Sequence, residues 1–373
     1  MSSPASSSPR LRAAQIAIVT VLVLFLVVRL ADSGDGDGGS GTAAAAEADP
    51  LGSGRAVTLA FGGDVHFEDG LRGRLAADPA RALDPLPRLL KGADLSIVNL
   101  ETAVTRDGDC PDRQPKQFAF AAPESAFAAL RSAGVTVASG ANNHGMDCGR
   151  AGLEQTLAAA RGAGVPLIGV GVHEEAAFKP FVVEKHGQRI AIVAASQVLD
   201  DELAAAWMAV DAEPGMATAR DLGALVRAVR EARATADTVV VFLHWGTELQ
   251  QCPNPRQPPL ARLLAAAGAD VIAGSHAHVP LGAGYSGRTL VAYGLGNLAF
   301  YARGPPRTSS GVLTVTITGR RVDRYAWRPA VIEDGAPIPL RGAARDAAKA
   351  EWRALRGCTG LAARPSGGYL TAQ

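Results

Sequence analysis

The chain has 373 residues, with 37 basic and 36 acidic side chains and a formal net charge of +1. Its length suffices for one large α/β domain or two small domains, at about 150 residues per domain. The near-neutral charge and an aromatic content of 5% argue against a nucleic-acid-binding surface, so we expect no nucleic-acid partner.

The first 31 residues have the pattern of a signal anchor. Arg10 and Arg12 precede an apolar stretch from Ile16 to Val28, and basic residues in that position favour a cytoplasmic N-terminus. Counted from Ala13 to Ala31, the segment is near the lower limit of about 17 residues for spanning a bilayer. No Ala-x-Ala site follows directly, which favours an uncleaved anchor over a cleaved signal peptide, although cleavage within Ala43 to Ala46 stays open. We expect a single-pass protein of the cell membrane with its main domain outside the cell.

Residues 32–54 are rich in Gly, Asp, Ser and Ala and cannot bury much apolar area, so they are predicted to form a flexible linker. The globular domain is expected over residues 55–340. A C-terminal tail, with a helical patch and then a Gly/Ser-rich end, is expected over residues 341–373.

Within the domain, apolar runs of strand length alternate with segments of helical periodicity. Strands are predicted at residues 57–61, 95–98, 135–138, 165–170, 238–243, 269–273 and 290–295, and hairpins at 181–195 and 311–328. Helices are predicted at residues 86–90, 123–133, 151–161, 222–233 and 258–267. The irregular segment Asp200 to Met216 is a candidate lid or substrate loop. The alternation predicts an α/β sandwich with mixed sheets.

Polar side chains gather at the ends of these predicted strands. Five of the seven histidines directly follow a strand-like run, and three oxygen-bearing residues occupy the same kind of position: His66, His144, His244, His276 and His278, with Asp64, Glu101 and Asn143. Open α/β sheets bind ligands outside the carboxyl ends of their strands. Imidazole and oxygen ligands suit divalent first-row metals, so the pattern predicts a metal site.

The pair His276 and His278 follows the predicted strand 269–273. Side chains alternate along an extended backbone, so both imidazoles would point to the same side. The alternative is that they are two surface histidines in a turn.

The order of these motifs resembles that of calcineurin-like metallophosphoesterases, in Asp64-x-His66, Asn143-His144, His244 and Gly274-x-His276-x-His278. More closely, the chain resembles the CapA family, also called PgsA, bacterial capsule synthesis proteins associated with poly-γ-glutamate. This resemblance covers about Val57 to Phe300 and includes Asn99-Leu100-Glu101, His244-Trp245-Gly246-x-Glu248 and Tyr293-Gly294-Leu295-Gly296-Asn297. The single anchor ahead of the domain also fits that family.

The resemblance implies a metallophosphatase-like α/β sandwich with two mixed β-sheets flanked by helices, and two divalent metal ions, Mn, Fe or Zn. Asp64, His66 and His278 would hold the first ion, and Asn143, His244 and His276 the second. Glu101 stands where the phosphoesterases have a bridging Asp, and its longer stem would change the metal spacing. His144 would be the general acid, oriented by Asp147.

For several of these residues a purely structural role is the alternative. Asn143 would cap a turn and His144 would satisfy a buried carbonyl if there were no metal. Trp245 and Glu248 are as well explained by loop packing as by chemistry.

Three classes of function follow from the resemblance. The first is an envelope component of capsule or poly-γ-glutamate synthesis or export, with the capsule polymer and a polymer synthase complex as partners. The second is an extracytoplasmic metal-dependent phosphoesterase, and the third is a metal-dependent hydrolase or transferase acting on an amide polymer. Fold resemblance alone does not decide whether the site is catalytic.

The four cysteines of an exported domain allow two disulfides and three pairings. We favour Cys110 with Cys148, because both flank neighbouring loops of the candidate site.

Overall fold

A computed structural model describes residues 54–366. The predicted anchor, the linker up to residue 53 and residues 367–373 lie outside that range. Within it, no helix combines the length and the apolar character needed to cross a bilayer.

Strands and helices alternate along the described part of the chain. The strands are β1 (Val57–Val65), β2 (Leu95–Leu100), β3 (Ala103–Thr105), β4 (Ala121–Pro123), β5 (Val137–Ser139), β6 (Leu167–Ile168), β7 (Val170–Gly171), β8 (Phe181–Lys185), β9 (Gln188–Ser196), β10 (Gly215–Met216), β11 (Thr238–Trp245), β12 (Val271–His276), β13 (Ala283–Ser286), β14 (Thr289–Ala292), β15 (Asn297–Ala299), β16 (Ser309–Thr318), β17 (Arg321–Glu333) and β18 (Ala336–Pro339). The α-helices are α1 (Gly70–Ala77), α2 (Leu86–Leu90), α3 (Ser125–Ser132), α4 (Gly149–Ala163), α5 (Glu174–Phe178), α6 (Ala204–Trp207), α7 (Leu222–Thr235), α8 (Gln257–Ala267) and α9 (Gly342–Ala354).

Most strands belong to two mixed sheets. The first has the order β18-β17-β16-β1-β2-β5-β6, with β15 also pairing with β1. Its strands β1, β2, β5 and β6 run parallel, and β16 to β18 are antiparallel. The second has the order β13-β14-β12-β11-β9-β8, with β9, β11, β12 and β14 parallel and an antiparallel strand at each edge.

The alternation of side chains along these strands divides the core into layers. Phe61 of β1 and Phe242 of β11 belong to one apolar cluster that joins the two sheets. Their neighbours Ala60 and Val241 face the other way, into separate clusters with α1 to α4 and with α7 and α8. The predicted α/β sandwich of two mixed sheets flanked by helices is confirmed.

Several elements differ in extent from the prediction, and for two of them the reason is local. Strand β1 continues past residue 61 to Val65, because Asp64 still pairs with both Asn99 of β2 and Asn297 of β15. The predicted strand 165–170 is two short strands separated by Gly169, whose φ of +77° breaks the extended run.

Two disulfides join Cys110 to Cys148 and Cys252 to Cys358, so the favoured pairing is confirmed. The second bond also bears on the predicted tail. In the described residues after 340, α9 packs on β17, Trp352 is 6% exposed, and Cys358 is bonded back to the domain. Up to residue 366 this segment is therefore packed against the domain.

Candidate metal centre

The carboxyl ends of parallel strands from both sheets meet at one place. Strand β1 carries Asp64, β2 leads into Glu101, and the loop after β5 carries Asn143, His144 and Asp147. From the second sheet, β11 carries His244, and β12 ends at His276 and is followed by His278. The predicted site residues are thus brought together, and His66 lies beside them, near His144 and His278.

Glu101 lies at the middle of this cluster. Its Oε1 is buried and has no hydrogen-bond partner, although it lies 3.8 Å from the Nε2 atoms of both His244 and His278 and 4.0 Å from that of His144. Burial raises the pKa of the Glu101 carboxyl well above its usual value, and the Asp64 carboxylate adds to that shift. A buried carboxylate oxygen surrounded by imidazoles beyond hydrogen-bond distance is well suited to share a cation with them.

Three groups of side chains in residues 54–366 have ligand atoms within 4.8 Å of one another. They are Glu101 with His244 and His276, Asp64 with Glu101 and His278, and Glu248 with His276 and His278. Glu101 is common to the first two groups. These groups resemble the two predicted ligand sets, with Glu101 a member of both.

His66 is not part of any of these groups. The backbone amides of Glu68 and Tyr301 lie 2.9 and 3.1 Å from its two ring nitrogens. Its ring packs edge-on against Phe300, with the ring centroids 3.8 Å apart. Burial lowers the pKa of His66, and the nearby His144 and His278 add to that shift, so the ring lies beside the cluster and its role as a ligand stays a prediction.

The backbone at His276 and His278 is not the extended strand that the sequence predicted. The strand ends at His276, and the two residues have φ values of +93° and +57°. Such left-handed backbone in a residue with a side chain costs on the order of 1–3 kcal/mol. The backbone amide of His276 lies 3.3 Å from the Asp64 carboxylate, which helps to hold this turn.

The electrostatic surroundings of these two imidazoles are opposite. Burial, with His278 nearby, lowers the pKa of His276 to about 3, and its buried Nδ1 has no hydrogen-bond partner. For His278, desolvation lowers the pKa, but the carboxylates of Glu101 and Asp64 outweigh it and raise the pKa to about 10. The Nδ1 of His278 lies 2.9 Å from Asn297 Oδ1 and 3.3 Å from Asp64 Oδ2.

Asn143 and His244 lie together, as predicted for the second ion. The Nε2 of His244 is 2.7 Å from Asn143 Oδ1, and its Nδ1 is 3.0 Å from Ser275 Oγ. Burial lowers the pKa of His244 well below its usual value, so the ring is neutral. A neutral imidazole and an amide oxygen are both available as metal ligands.

His144 and Asp147 form a separate pair beside the cluster. Their Nδ1 and Oδ2 atoms are 2.6 Å apart, and the ring of His144 stacks on Phe120 with centroids 4.2 Å apart. Burial lowers the pKa of His144. With Nδ1 held by Asp147, its Nε2 faces Glu101, and His144 is in none of the three ligand groups.

Several residues that support the site had no role assigned from the sequence. Lys116 Nζ is 3.0 Å from Asp147 Oδ1, and the Phe120 amide donates to Asp147 Oδ2 at 2.6 Å. The Asn99 side-chain amide donates to Asp64 and accepts from Asn142, at 2.9 and 3.0 Å. The strand-end position of Asn99 was a usable signal, whereas Lys116 and Phe120 lie in a loop without periodicity.

The chain is similar to a family of bacterial capsule proteins over the region that carries this site. The model of the family described as bacterial capsule synthesis protein PGA_cap matches residues 58–302. PGA biosynthesis protein CapA of Bacillus subtilis (strain 168) is 30% identical over 256 residues, which are 68% of this chain and 65% of that protein. Capsule biosynthesis protein CapA of Bacillus anthracis is 28% identical over 258 residues, 68% of this chain and 62% of that protein. The chain thus spans just under two thirds of the length of these relatives.

Among solved structures, one described as a novel phosphatase from Mycoplasma pneumoniae is similar over 74% of this chain and 94% of its own length. The identity is 15% and the TM-score 0.44, a level of similarity that carries no conclusion about chemistry.

Proposed function

The chain belongs to the PGA_cap family of bacterial capsule synthesis proteins, and from this membership we propose that it acts in the synthesis or export of a capsule polymer of the poly-γ-glutamate type. We further propose that the N-terminal segment anchors it in the cell membrane, with the domain of residues 55–340 outside the cell. The basic residues ahead of the apolar stretch support that orientation. Its partners would be the polymer and the complex that synthesises it.

The observation that carries a functional role for the site is the unpartnered Oε1 of Glu101 among three imidazoles. We assign this cluster to two divalent ions of the Mn, Fe or Zn type. Asp64, Glu101 and His278 would hold one, and Glu101, Asn143, His244 and His276 the other. Ions bound there would supply Lewis-acid stabilisation of charge on a carbonyl or phosphoryl oxygen of a substrate.

The remaining side chains position a proton donor. Asp147 holds Nδ1 of His144 and so fixes which ring nitrogen faces the cluster. Phe120 covers the ring, and its backbone amide holds the Asp147 carboxylate. Lys116 pairs with the same carboxylate. In the neutral ring the Asp147 carboxylate accepts from Nδ1–H and Nε2 is unprotonated. His144 would therefore first take up a proton at Nε2, as an imidazolium that Asp147 stabilises, and then give that proton to a leaving atom at the cluster.

This His144–Asp147 pair also favours a second candidate, in which the protein is a metal-dependent hydrolase outside the membrane. Its substrate would be a phosphoester or, for a hydrolase or transferase, the amide bonds of the capsule polymer. An oriented imidazole beside the cluster is the arrangement that general acid–base catalysis uses. Turnover of phosphoesters and release of polymer ends by the purified chain distinguish the two substrates.

The proposed function is tested by polymer production in cells. Deletion of the gene should abolish or strongly reduce the cell-associated polymer, and the parent chain should restore it. Glu101→Gln should fail to restore it at equal protein level, because the amide removes the charge shared between the ions. Glu184→Gln, at an exposed position of β8, is the matched control and should restore it. Unchanged polymer after deletion contradicts the function, and restoration by Glu101→Gln contradicts the role of the site.

A further inference from the structure

A cavity of about 240 Å³ lies between α9 and β17. Its lining combines three aromatic with three basic side chains and contains no acidic residue: Tyr325, Trp327, Trp352, Lys349, Arg353 and Arg356. These six residues lie beyond residue 302, where the match to the family ends. None of them belongs to the candidate metal centre.

The aromatic side of the cavity is built by the two elements that enclose it. Tyr325 and Trp327 are two apart on β17 and share a face of the strand. The rings of Trp327 and Trp352 are stacked, with centroids 5.2 Å apart and an interplanar angle of 5°. Tyr325 meets Trp352 edge-on at 6.3 Å. The two indoles are largely buried, at 4% and 6% exposure, and form a rigid base for the cavity, while the ring of Tyr325 is partly exposed.

The basic side chains come from one face of the last helix. Lys349 and Arg353 are four residues apart on α9, and Arg356 follows in the next turn, which is the spacing of neighbours on a helix surface. Asp346, one turn before Lys349, is held by Arg345 at 2.9 Å. Within residues 54–366 no carboxylate forms an ion pair with these three side chains, although Lys349 and Arg353 contribute, after Arg345, to lowering the pKa of Asp346.

Trp352 adds an unsatisfied donor. The residue is 6% exposed, and its Nε1–H has no acceptor among residues 54–366. Buried donors are almost always paired. Trp352 is one of the residues that line the cavity, so this unpaired donor belongs to the cavity wall.

We propose that this cavity binds a short stretch of a carboxylate-bearing chain. The guanidinium groups of Arg353 and Arg356 would each take a carboxylate through two N–H groups, and Lys349 would add a point charge. The methylene groups between the carboxylates would pack against the partly exposed ring of Tyr325 and the accessible edges of the two indoles. Naming γ-linked glutamate as that chain rests on the proposed function, because each of its residues has both a carboxylate and a methylene stem. An inorganic anion would use the charges alone.

The test is a titration of the full-length chain with a γ-linked glutamate decamer, measured by calorimetry and by tryptophan fluorescence. The double variant Arg353→Gln/Arg356→Gln should bind at least about tenfold more weakly, since two charge-assisted contacts are lost. Lys349→Gln should show a smaller loss in the same direction. The control Arg341→Gln removes one exposed charge next to α9 but outside the cavity, and its affinity should stay within about twofold of the parent.

Two results would overturn the inference. If the parent and the double variant bind the decamer with equal affinity and unfold at matching temperatures, the cavity is not the binding site. Displacement of the decamer by inorganic phosphate at the same ionic strength, with no preference for the decamer, would reduce it to a general anion site.

Polymer production in cells separates this inference from the proposed function. A double variant that loses binding in vitro but restores polymer fully in cells would contradict the role of this cavity alone. Unchanged polymer after gene deletion would contradict the proposed function and leave the measured binding intact.

Discussion

Burial keeps several imidazoles of the site neutral, and this determines how a metal-free protein responds to acid. The pKa values of His66 and His244 are well below the usual value of 6.5, that of His144 is also lowered, and that of His276 is about 3. Each group is shifted first by desolvation. In the unfolded chain the same imidazoles take up protons near pH 6.5.

We therefore predict that the metal-free protein loses stability as the pH falls from about 6.5 to 5. Unfolding binds protons over this interval, because the folded-state pKa values are depressed, and each fully protonating group contributes up to about 1.4 kcal/mol per pH unit. Two groups of the site with raised pKa values act in the opposite direction, since His278, with a pKa of about 10, and Glu101, whose pKa is well above its usual value, hold protons in the folded state that the unfolded chain releases. The four imidazoles with lowered pKa values outnumber them, so unfolding still binds protons overall. The contribution of His278 is lost only as the pH rises towards 10.

Urea unfolding of the chelator-treated protein at pH 6.5 and 5 measures this effect. The variant His276→Gln should show a smaller difference between the two pH values, because it removes one of the groups that bind protons. Equal or greater stability at pH 5 than at pH 6.5 would contradict the burial of neutral imidazoles at the site.

The sequence predicted most of the residues at the site but not all of their contacts. Glu101, His244, His276 and His278 were found because they directly follow apolar runs whose carboxyl ends meet in the fold. His66 met the same criterion, yet the backbone of Glu68 and Tyr301 surrounds its ring. That contact depends on where a segment 235 residues later lies, which local patterns do not contain.

At the scale of the strands, the close packing of β12 beside Trp245 of β11 depends on the absence of a side chain at Gly274. A Cβ added at Gly274 of β12 would lie 2.0 Å from the indole Nε1 of Trp245 and 2.5 Å from the carbonyl oxygen of Tyr293. That indole donates to the same carbonyl at 2.8 Å, which ties β11 to the segment after β14. Neither neighbour is a flexible side-chain end that can move away.

Gly274→Ala should therefore destabilise the protein by about 1–3 kcal/mol through overpacking. The control is Gly162→Ala, in α4, where an added Cβ meets no atom within 4 Å, and there we expect a gain of about 0.5–1 kcal/mol. Chemical unfolding of the two variants beside the parent checks both. Equal stability of Gly274→Ala and the parent would contradict the close packing of β12.

Secondary structure was predictable to the extent that it follows local periodicity. The hairpins β8–β9 and β16–β17 and the helices α4, α7 and α8 lie where the apolar pattern placed them. The continuation of β1 to Val65 was not predictable, because two consecutive glycines, Gly62 and Gly63, indicate the end of a strand when the sequence is taken alone. Pairing with β2, β15 and β16 keeps them extended, and this pairing is a property of the sheet.

For the whole molecule, the proposed orientation places both disulfides in an oxidising compartment, where such bonds persist. Protease added to intact protoplasts should degrade the domain of residues 55–340, while a cytoplasmic marker protein stays intact. Protection of the domain until the membrane is lysed would contradict the proposed topology. The two disulfides provide an independent check, since four free thiols in protein from the same cells would also contradict export.

The central claim is that residues from both sheets form a divalent-metal centre at which His144 is a neighbour and not a ligand. Elemental analysis of the purified full-length chain, supplemented with Mn, Fe or Zn, tests it most directly when His276→Ala, His278→Ala and His144→Ala are measured beside the parent. We expect bound metal in the parent, a clear loss in the first two variants, and nearly parental content in His144→Ala. A parent that binds no metal under any supplementation would contradict the metal centre. Equal loss in His144→Ala and His276→Ala would contradict the separation between the ligands and the proton donor.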